Sequence, residues 1–246
     1  NPEFIPQFKE VLTKYDLKLV GINQHIGSLF MDGKPYVEGV KAILNIAKQF
    51  DDLEFVDLGG GFGIPYEKLN DQPRLDMVEL GKQLDEVFEQ FVKDYGKEIT
   101  FKIEPGRYVS AECGVLLGTV TAVKHNGEDK YIGTDIGFNV LQRPVMYDSH
   151  HDIEVYNDSD NTEDVTVVGN ICESGDILAK HRICPEMHVG DTMAMLDAGA
   201  YGYCMASNYN NRLRPAEVLI RENGEAVLVR ERDELEDLTR HMKSIK

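Results

Sequence analysis

Leu53-Glu54-Phe55-Val56-Asp57-Leu58-Gly59-Gly60-Gly61-Phe62-Gly63 is the stretch on which the fold turns. Its first residues, Leu53 to Val56, form an apolar run that reads as a buried strand. Three consecutive glycines then leave the backbone unshielded, so several N–H groups can point at one anion. A helical pattern follows, which would add the positive end of a helix to any phosphate held there. The stretch is not a dinucleotide fingerprint, because G-x-G-x-x-G counted from Gly59 needs glycine at 64 and finds Ile64. It also lacks the Gly-Lys-Ser/Thr ending of a P-loop. On these residues alone, a tight strand-to-helix turn and a phosphate cradle both stay open.

The flanking sequence repeats the same design. Residues 3–15 place Phe4, Ile5, Phe8, Val11 and Leu12 at helical spacing. Leu17 to Ile22 reads as a strand and runs into Asn23-Gln24-His25-Ile26-Gly27-Ser28. A helix is expected over about 35–50, with Val37, Val40, Ile43, Leu44 and Ile46 on one side. A longer one is expected over about 73–96, with Met77, Leu80, Leu84, Phe88, Phe91 and Tyr95 as its inward stripe. Such a methionine and aromatic stripe reads as core. A third strand, Ile99 to Ile103, leads into Glu104-Pro105-Gly106-Arg107. Alternating helix and strand marks parallel βα units. In such folds sites are built at the C-terminal edge of the sheet, where all three strands here end in polar or glycine-rich chemistry.

Past Arg107 the pattern changes to short β-rich runs: Gly114–Val123, Lys130–Thr134, Val165–Gly169, Thr192–Leu196, Ala216–Ile220 and Ala226–Val229. Asn126-Gly127 and Asn223-Gly224 are turn signals between them. The acidic stretch Asn157–Asp164 reads as a solvated loop and Asp233–Lys243 as a short charged helix. The expected organisation is an α/β domain over 1–107 and a mostly antiparallel β-domain over 108–246.

Composition narrows the function. A formal charge of −17 disfavours nucleic acid, whose phosphates need Lys/Arg clusters. No run of eighteen apolar residues exists, so no membrane span is expected, and the first residues show no signal-peptide pattern. Cys113, Cys172, Cys184 and Cys204 have no C-x-x-C spacing and are expected as free thiols in a reducing cytoplasm. No H-E-x-x-H or cysteine–histidine zinc spacing appears, and no Ser/His/Asp ordering stands out, so neither a metal site nor a serine hydrolase is expected.

Each remaining residue carries a structural reading beside a chemical one. His25 at a strand end is compatible with a packing role. Glu104 and Arg107 could pair across a Pro-Gly turn. Cys172, in Cys172-Glu173-Ser174-Gly175-Asp176, could be an inert thiol.

Taken together, His25-Ile-Gly-Ser28, Gly59-Gly-Gly61, Glu104-Pro-Gly-Arg107, Arg143-Pro144 with Tyr147, Cys172-Glu-Ser-Gly-Asp176 and Ala198-Gly-Ala-Tyr201 resemble, in order, the pyridoxal-phosphate (PLP) decarboxylases of the alanine-racemase fold. That group includes diaminopimelate and ornithine decarboxylases. Cys-Glu-Ser-Gly-Asp, Arg143-Pro144 with Tyr147, and Arg212-Leu-Arg-Pro-Ala-Glu217 are more similar to the diaminopimelate type. The resemblance implies PLP as cofactor, held by His25, Ser28, Gly61, Glu104, Gly106, Arg107 and Tyr201. It implies substrate binding by Arg107, Arg143, Tyr147, Glu173 and Tyr201, and Cys172 as proton donor, reaching in from the second subunit of a homodimer. The implied activity is conversion of meso-2,6-diaminopimelate to L-lysine and CO2 in the cytoplasm. Alternatives are a related decarboxylase of ornithine, lysine, carboxynorspermidine or a carrier-bound amino acid, a racemase of the same fold, or a catalytically dead homologue that binds a partner. One departure stands out: the family's PLP-binding lysine, in a Tyr-x-x-Lys-Ala-like setting, has no counterpart here. A full (β/α)8 barrel also needs roughly 250 residues. The chain is therefore read as the C-terminal part of a (β/α)8 barrel followed by the β-domain.

Overall fold

The computed structural model describes residues 2–243, which divide into two compact units. The first comprises the residues up to Pro65 together with Asp71–Val109. The second comprises Tyr66–Asn70 and the chain from Ser110 onward. The short segment 66–70 thus belongs with the second unit, although it interrupts the sequence of the first.

The first unit is a three-stranded parallel sheet, ordered β1 (Gly21–Asn23), β2 (Phe55–Asp57), β3 (Thr100–Lys102). Its helices are α1 (Ile5–Lys14), α2 (Lys34–Ala47), α3 (Met77–Tyr95) and the short α4 (Gly106–Ser110). α2 buries Tyr36, Val37, Val40, Ile43, Leu44 and Ala47, the i, i+3, i+4, i+7 face of a helix. α3 starts at Asp76, whose carboxylate accepts the Glu79 N–H at 2.9 Å, and stops at Gly96, which takes a left-handed φ of 77°. Its Leu80 and Phe91 are buried, and Met77, Leu84, Phe88 and Tyr95 pack against the same core. Val56 and Leu58, on β2 and at its end, are fully buried there; each contributes about 2 kcal/mol by leaving water.

The second unit carries a six-stranded sheet ordered β6-β9-β4-β5-β7-β8. Its strands are β4 (Leu116–Asn126), β5 (Asp129–Thr134), β6 (Ile153–Tyr156), β7 (Thr162–Val168), β8 (Ile177–Pro185) and β9 (Thr192–Met195). All pairs are antiparallel except β5 with β7. A short helix, α5 (Arg143–Tyr147), lies between β5 and β6. A hairpin of β10 (Glu217–Ile220) and β11 (Ala226–Arg230) and a last helix, α6 (Leu235–Thr239), follow.

Four sequence expectations are corrected. No helix follows the glycines directly: Phe62 instead forms a parallel bridge with Phe30, and α3 begins only at Met77. Pro65, Pro73 and the turn at Asp71 keep the intervening chain out of an α-helix, and it makes only the 3-10 turn Lys68–Asn70. The strand expected over 17–22 shrinks to Gly21–Asn23, because the Leu17 N–H still closes α1 onto the Leu12 carbonyl. The acidic stretch is not wholly a loop, since Thr162–Asp164 belong to β7 and pair with Ile183–Pro185. There the half-buried Glu163 is held by Lys130 and by the Met187 N–H. Finally, β6 and β8 stand where no strand was expected. Register shifts between β7 and β8 break the alternation by which β8 could be read.

Candidate functional site

In the first unit the parallel register sets three strand ends side by side, and backbone hydrogen bonds continue beyond the strands. The Gln24 N–H donates to the Asp57 carbonyl, Leu58 to Lys102, and Glu104 to Gly59, at 2.9–3.0 Å. The glycines are there for this approach. A Cβ at Gly59 would strike the Gln24 carbonyl, one at Gly60 the Glu104 carbonyl, and one at Gly61 the Gly27 carbonyl. Gly59 and Gly61 also hold φ of 69° and 98°, where side chains are strained. Two of the three N–H groups read as anion donors are spent internally. Gly59 donates to the Asp57 carboxylate at 3.0 Å and Gly60 to His25 Nδ1 at 3.3 Å. Among the described residues the Gly61 N–H makes no hydrogen bond.

The bond from Gly60 orients His25. Its Nδ1 accepts, so in the neutral ring the proton sits on Nε2. His25, Ser28 and Glu104 are exposed, and Arg107 is half-buried and donates to Ser28 Oγ at 3.2 Å. Behind these loops lies an aromatic base of Phe30, Tyr36 and Phe62, with centroids 4.9–5.1 Å apart. Among the described residues the buried Tyr36 hydroxyl has no hydrogen-bond partner, and burial followed by the charge of Asp57 pushes it up to about 12.

In the second unit Cys172 and Glu173 stand exposed on the loop between β7 and β8. The loop is anchored by Asp176, whose buried carboxylate accepts the Phe138 N–H at 2.7 Å and the Ile171 N–H at 2.9 Å. Burial raises this carboxyl above its usual range, and those two N–H bonds work against the rise. Gly169 leaves room for it, since a Cβ there would meet the Asp176 carboxylate. Glu173 lies below the ordinary carboxylate range, first through the Gly175 N–H at 3.2 Å and then through the Tyr209 hydroxyl at 3.2 Å.

Arg143 opens α5 and is buried, unlike the exposed Tyr147 at the other end of the helix. Its guanidinium donates to His151 Nε2 at 2.7 Å and Ser149 Oγ at 3.3 Å, and lies 4.3 Å from the Tyr66 ring. Tyr201 is exposed and left-handed, with φ of 57°, on the tight 197–202 loop. Gly199 lets that loop close against the Ser110 and Ala111 carbonyls. The loop starts at Asp197, a buried carboxylate bound to Lys68, which also pairs with Glu112. Burial raises the Asp197 carboxyl, and Lys68 opposes the rise.

Thus His25, Ser28, Gly61, Glu104, Gly106 and Arg107 are gathered at one sheet edge of the first unit. Arg143, Tyr147, Cys172, Glu173 and Tyr201 are distributed over helix α5 and two loops of the second. Sequence reasoning missed His151 and Tyr209, which act on those residues through the fold; the His150-His151 doublet was the one signal for the former.

A family model described as pyridoxal-dependent decarboxylase, C-terminal sheet domain, matches residues 19–199. Diaminopimelate decarboxylase of Methanothermobacter thermautotrophicus is 41% identical over 229 residues, covering 90% of this chain and 53% of the relative. That of Archaeoglobus fulgidus is 42% identical over 226 residues, covering 89% and 53%. The solved diaminopimelate decarboxylase of M. jannaschii in complex with L-lysine superposes with a TM-score of 0.88 at 32% identity, covering 98% of this chain and 57% of that one. The chain spans about half the length of the curated relatives it matches.

Proposed function

The chain belongs to the pyridoxal-dependent decarboxylase family, and on that premise we propose that it forms the C-terminal part of an enzyme that converts meso-2,6-diaminopimelate to L-lysine and CO2. The observation that carries this reading is the gathering of His25, Ser28, Gly61, Glu104 and Arg107 at three adjacent strand ends. In this reading the first unit is the closing portion of a (β/α)8 barrel. The relatives' additional length would carry the remaining strands and the cofactor lysine.

These residues fit PLP. A phosphate monoester needs N–H and O–H donors beside a cation, which Gly61, Ser28 and Arg107 provide, with Gly106 on the same turn. The flat ring needs an oriented face, and Gly60 fixes that of His25. A pyridinium nitrogen needs a carboxylate, the part taken by Glu104; Tyr201 is a further member of the cofactor set that the resemblance implies. When bound, PLP supplies the electron sink for the carbanion left by loss of CO2.

The protein's residues do the rest. Of the substrate-binding set that the resemblance implies, Arg107 is the cation suited to a distal carboxylate and Glu173 the carboxylate suited to a distal ammonium, with Arg143, Tyr147 and Tyr201 its further members. Cys172 gives its thiol proton to the carbon that has lost CO2 and is left as thiolate. A thiol suits this step because its ordinary pKa lies not far above neutrality. Cys172 would act in the site of a second subunit, making the working unit a homodimer in the cytoplasm. In the full-length, PLP-loaded protein, Cys172→Ala is expected to lower kcat on the order of 10²-fold or more while KM changes little. Equal losses in binding and turnover would contradict the proton-donor role.

A further inference from the structure

Tyr209 belongs to none of the motifs that carry the resemblance, yet it closes a ring of contacts around the Cys172 loop. The buried Asp176 carboxylate takes the Phe138 N–H at 2.7 Å. The Phe138 ring lies against the Tyr209 ring, with centroids 5.3 Å apart and planes at 47°. The Tyr209 hydroxyl donates to Glu173 Oε2 at 3.2 Å. Glu173 lies three residues before Asp176, so the ring returns to its start through the loop itself.

The segment that presents Tyr209 is itself pinned. Asn210 and Asn211 are both left-handed, with φ of 55° and 56°, a conformation asparagine tolerates better than most residues. Asn208 donates to the Arg212 carbonyl at 2.9 Å and to the Asp233 carboxylate at 3.0 Å. The Arg212 N–H returns to the Tyr209 carbonyl at 3.2 Å.

Glu173 is exposed and would sample several rotamers if unsupported. Here its Oε1 accepts from the Gly175 N–H at 3.2 Å and from the Ser174 hydroxyl at 3.4 Å, and its Oε2 from Tyr209. Each carboxylate oxygen has two acceptor positions, so Oε2 keeps one for an ammonium group, and it is Oε2 that Tyr209 holds. We propose that Tyr209 is a positioning residue, which fixes the Glu173 carboxylate for the ammonium end of a diamino-acid substrate. The inference rests on the reading of Glu173 as a substrate-binding group.

Tyr209→Phe tests it, because the ring contact with Phe138 is kept and only the hydroxyl is removed. In the full-length, PLP-loaded protein this change is expected to raise KM for meso-diaminopimelate about five- to tenfold while kcat stays within about twofold. The effect is expected to vanish in a Glu173→Ala background, since the hydroxyl then has nothing to position. The melting temperature of Tyr209→Phe should match that of the parent. An unchanged KM overturns the inference, as does a KM increase that persists without Glu173, or a loss confined to kcat and melting temperature. If Glu173→Ala alone leaves KM unchanged, the reading of Glu173 is what fails, and the inference falls with it. If Glu173→Ala raises KM and Tyr209→Phe does not, the inference alone fails.

Discussion

His151 Nε2 accepts a hydrogen bond from the Arg143 guanidinium at 2.7 Å, while His151 Nδ1 lies 2.7 Å from the Leu196 carbonyl. Arginine can only donate, so Nε2 must be bare and Nδ1 must carry the proton toward the carbonyl. The pair is buried, and the Tyr66 ring covers both partners. Next door, His150 stands in the same way between Arg182 and the buried Asp152 carboxylate, the latter at 2.8 Å.

Removing the imidazole should therefore be costly beyond its volume. His151→Leu takes one acceptor from a buried guanidinium and the imidazole donor from the Leu196 carbonyl, and is expected to destabilise the protein by about 2–3 kcal/mol. His151→Gln, which keeps one donor and one acceptor at similar reach, should recover a good part of that. Denaturant unfolding of the two variants beside the parent reads the difference; equal losses would show that hydrogen bonding plays no part.

The glycines separate into those that permit close approach and those that do not. Gly60→Ala sets a Cβ against the Glu104 carbonyl, where backbone must move, and should cost roughly 3 kcal/mol. Gly81, exposed in the middle of α3, has nothing within 4 Å of a built Cβ. Gly81→Ala should stabilise by about 0.5–1 kcal/mol through helix propensity alone. Opposite signs in thermal unfolding are the expected result.

Asp233 provides a pH-dependent contribution of known sign. Arg214 binds it through Nε at 2.8 Å and through its backbone N–H at 3.1 Å, and Asn208 adds another bond. Chiefly through the Arg214 side chain, its pKa falls from the ordinary 3.8 to about 2. A depressed carboxyl stabilises the fold above its unfolded value and loses that contribution as pH falls through the folded one. With solvent screening at the partly exposed Arg214, it is on the order of 1 kcal/mol. The stability gap between the parent and Asp233→Asn should be constant from neutral pH down to about 5, then shrink between about 4 and 2. A gap that is flat down to pH 2 would contradict the pairing.

What could be read from sequence follows from the range of the interactions concerned. α3 was legible because its apolar stripe is a local, helically spaced pattern. His25 and Glu104 were legible as candidates because each lies just past a strand, and Arg107 because it completes the Glu104-Pro-Gly turn. Which of the glycine N–H groups are spent internally was not legible, because whether one points outward or at Asp57 and His25 depends on the neighbouring strand ends. β8 was hidden by bulges in its pairing with β7. Arg143 entered only as a substrate-binding residue implied by the resemblance, and its burial against His151 and Tyr66 is a tertiary fact. Tyr209 carries no local signal at all, since its partner lies in another loop.

The central claim is tested most directly by CO2 release from the full-length, PLP-loaded protein, with meso-diaminopimelate, L-ornithine and L-lysine offered side by side. The account predicts release from meso-diaminopimelate at a kcat/KM at least about a hundredfold above that for the other two. Release from ornithine or lysine in preference, or from none of the three, would contradict it.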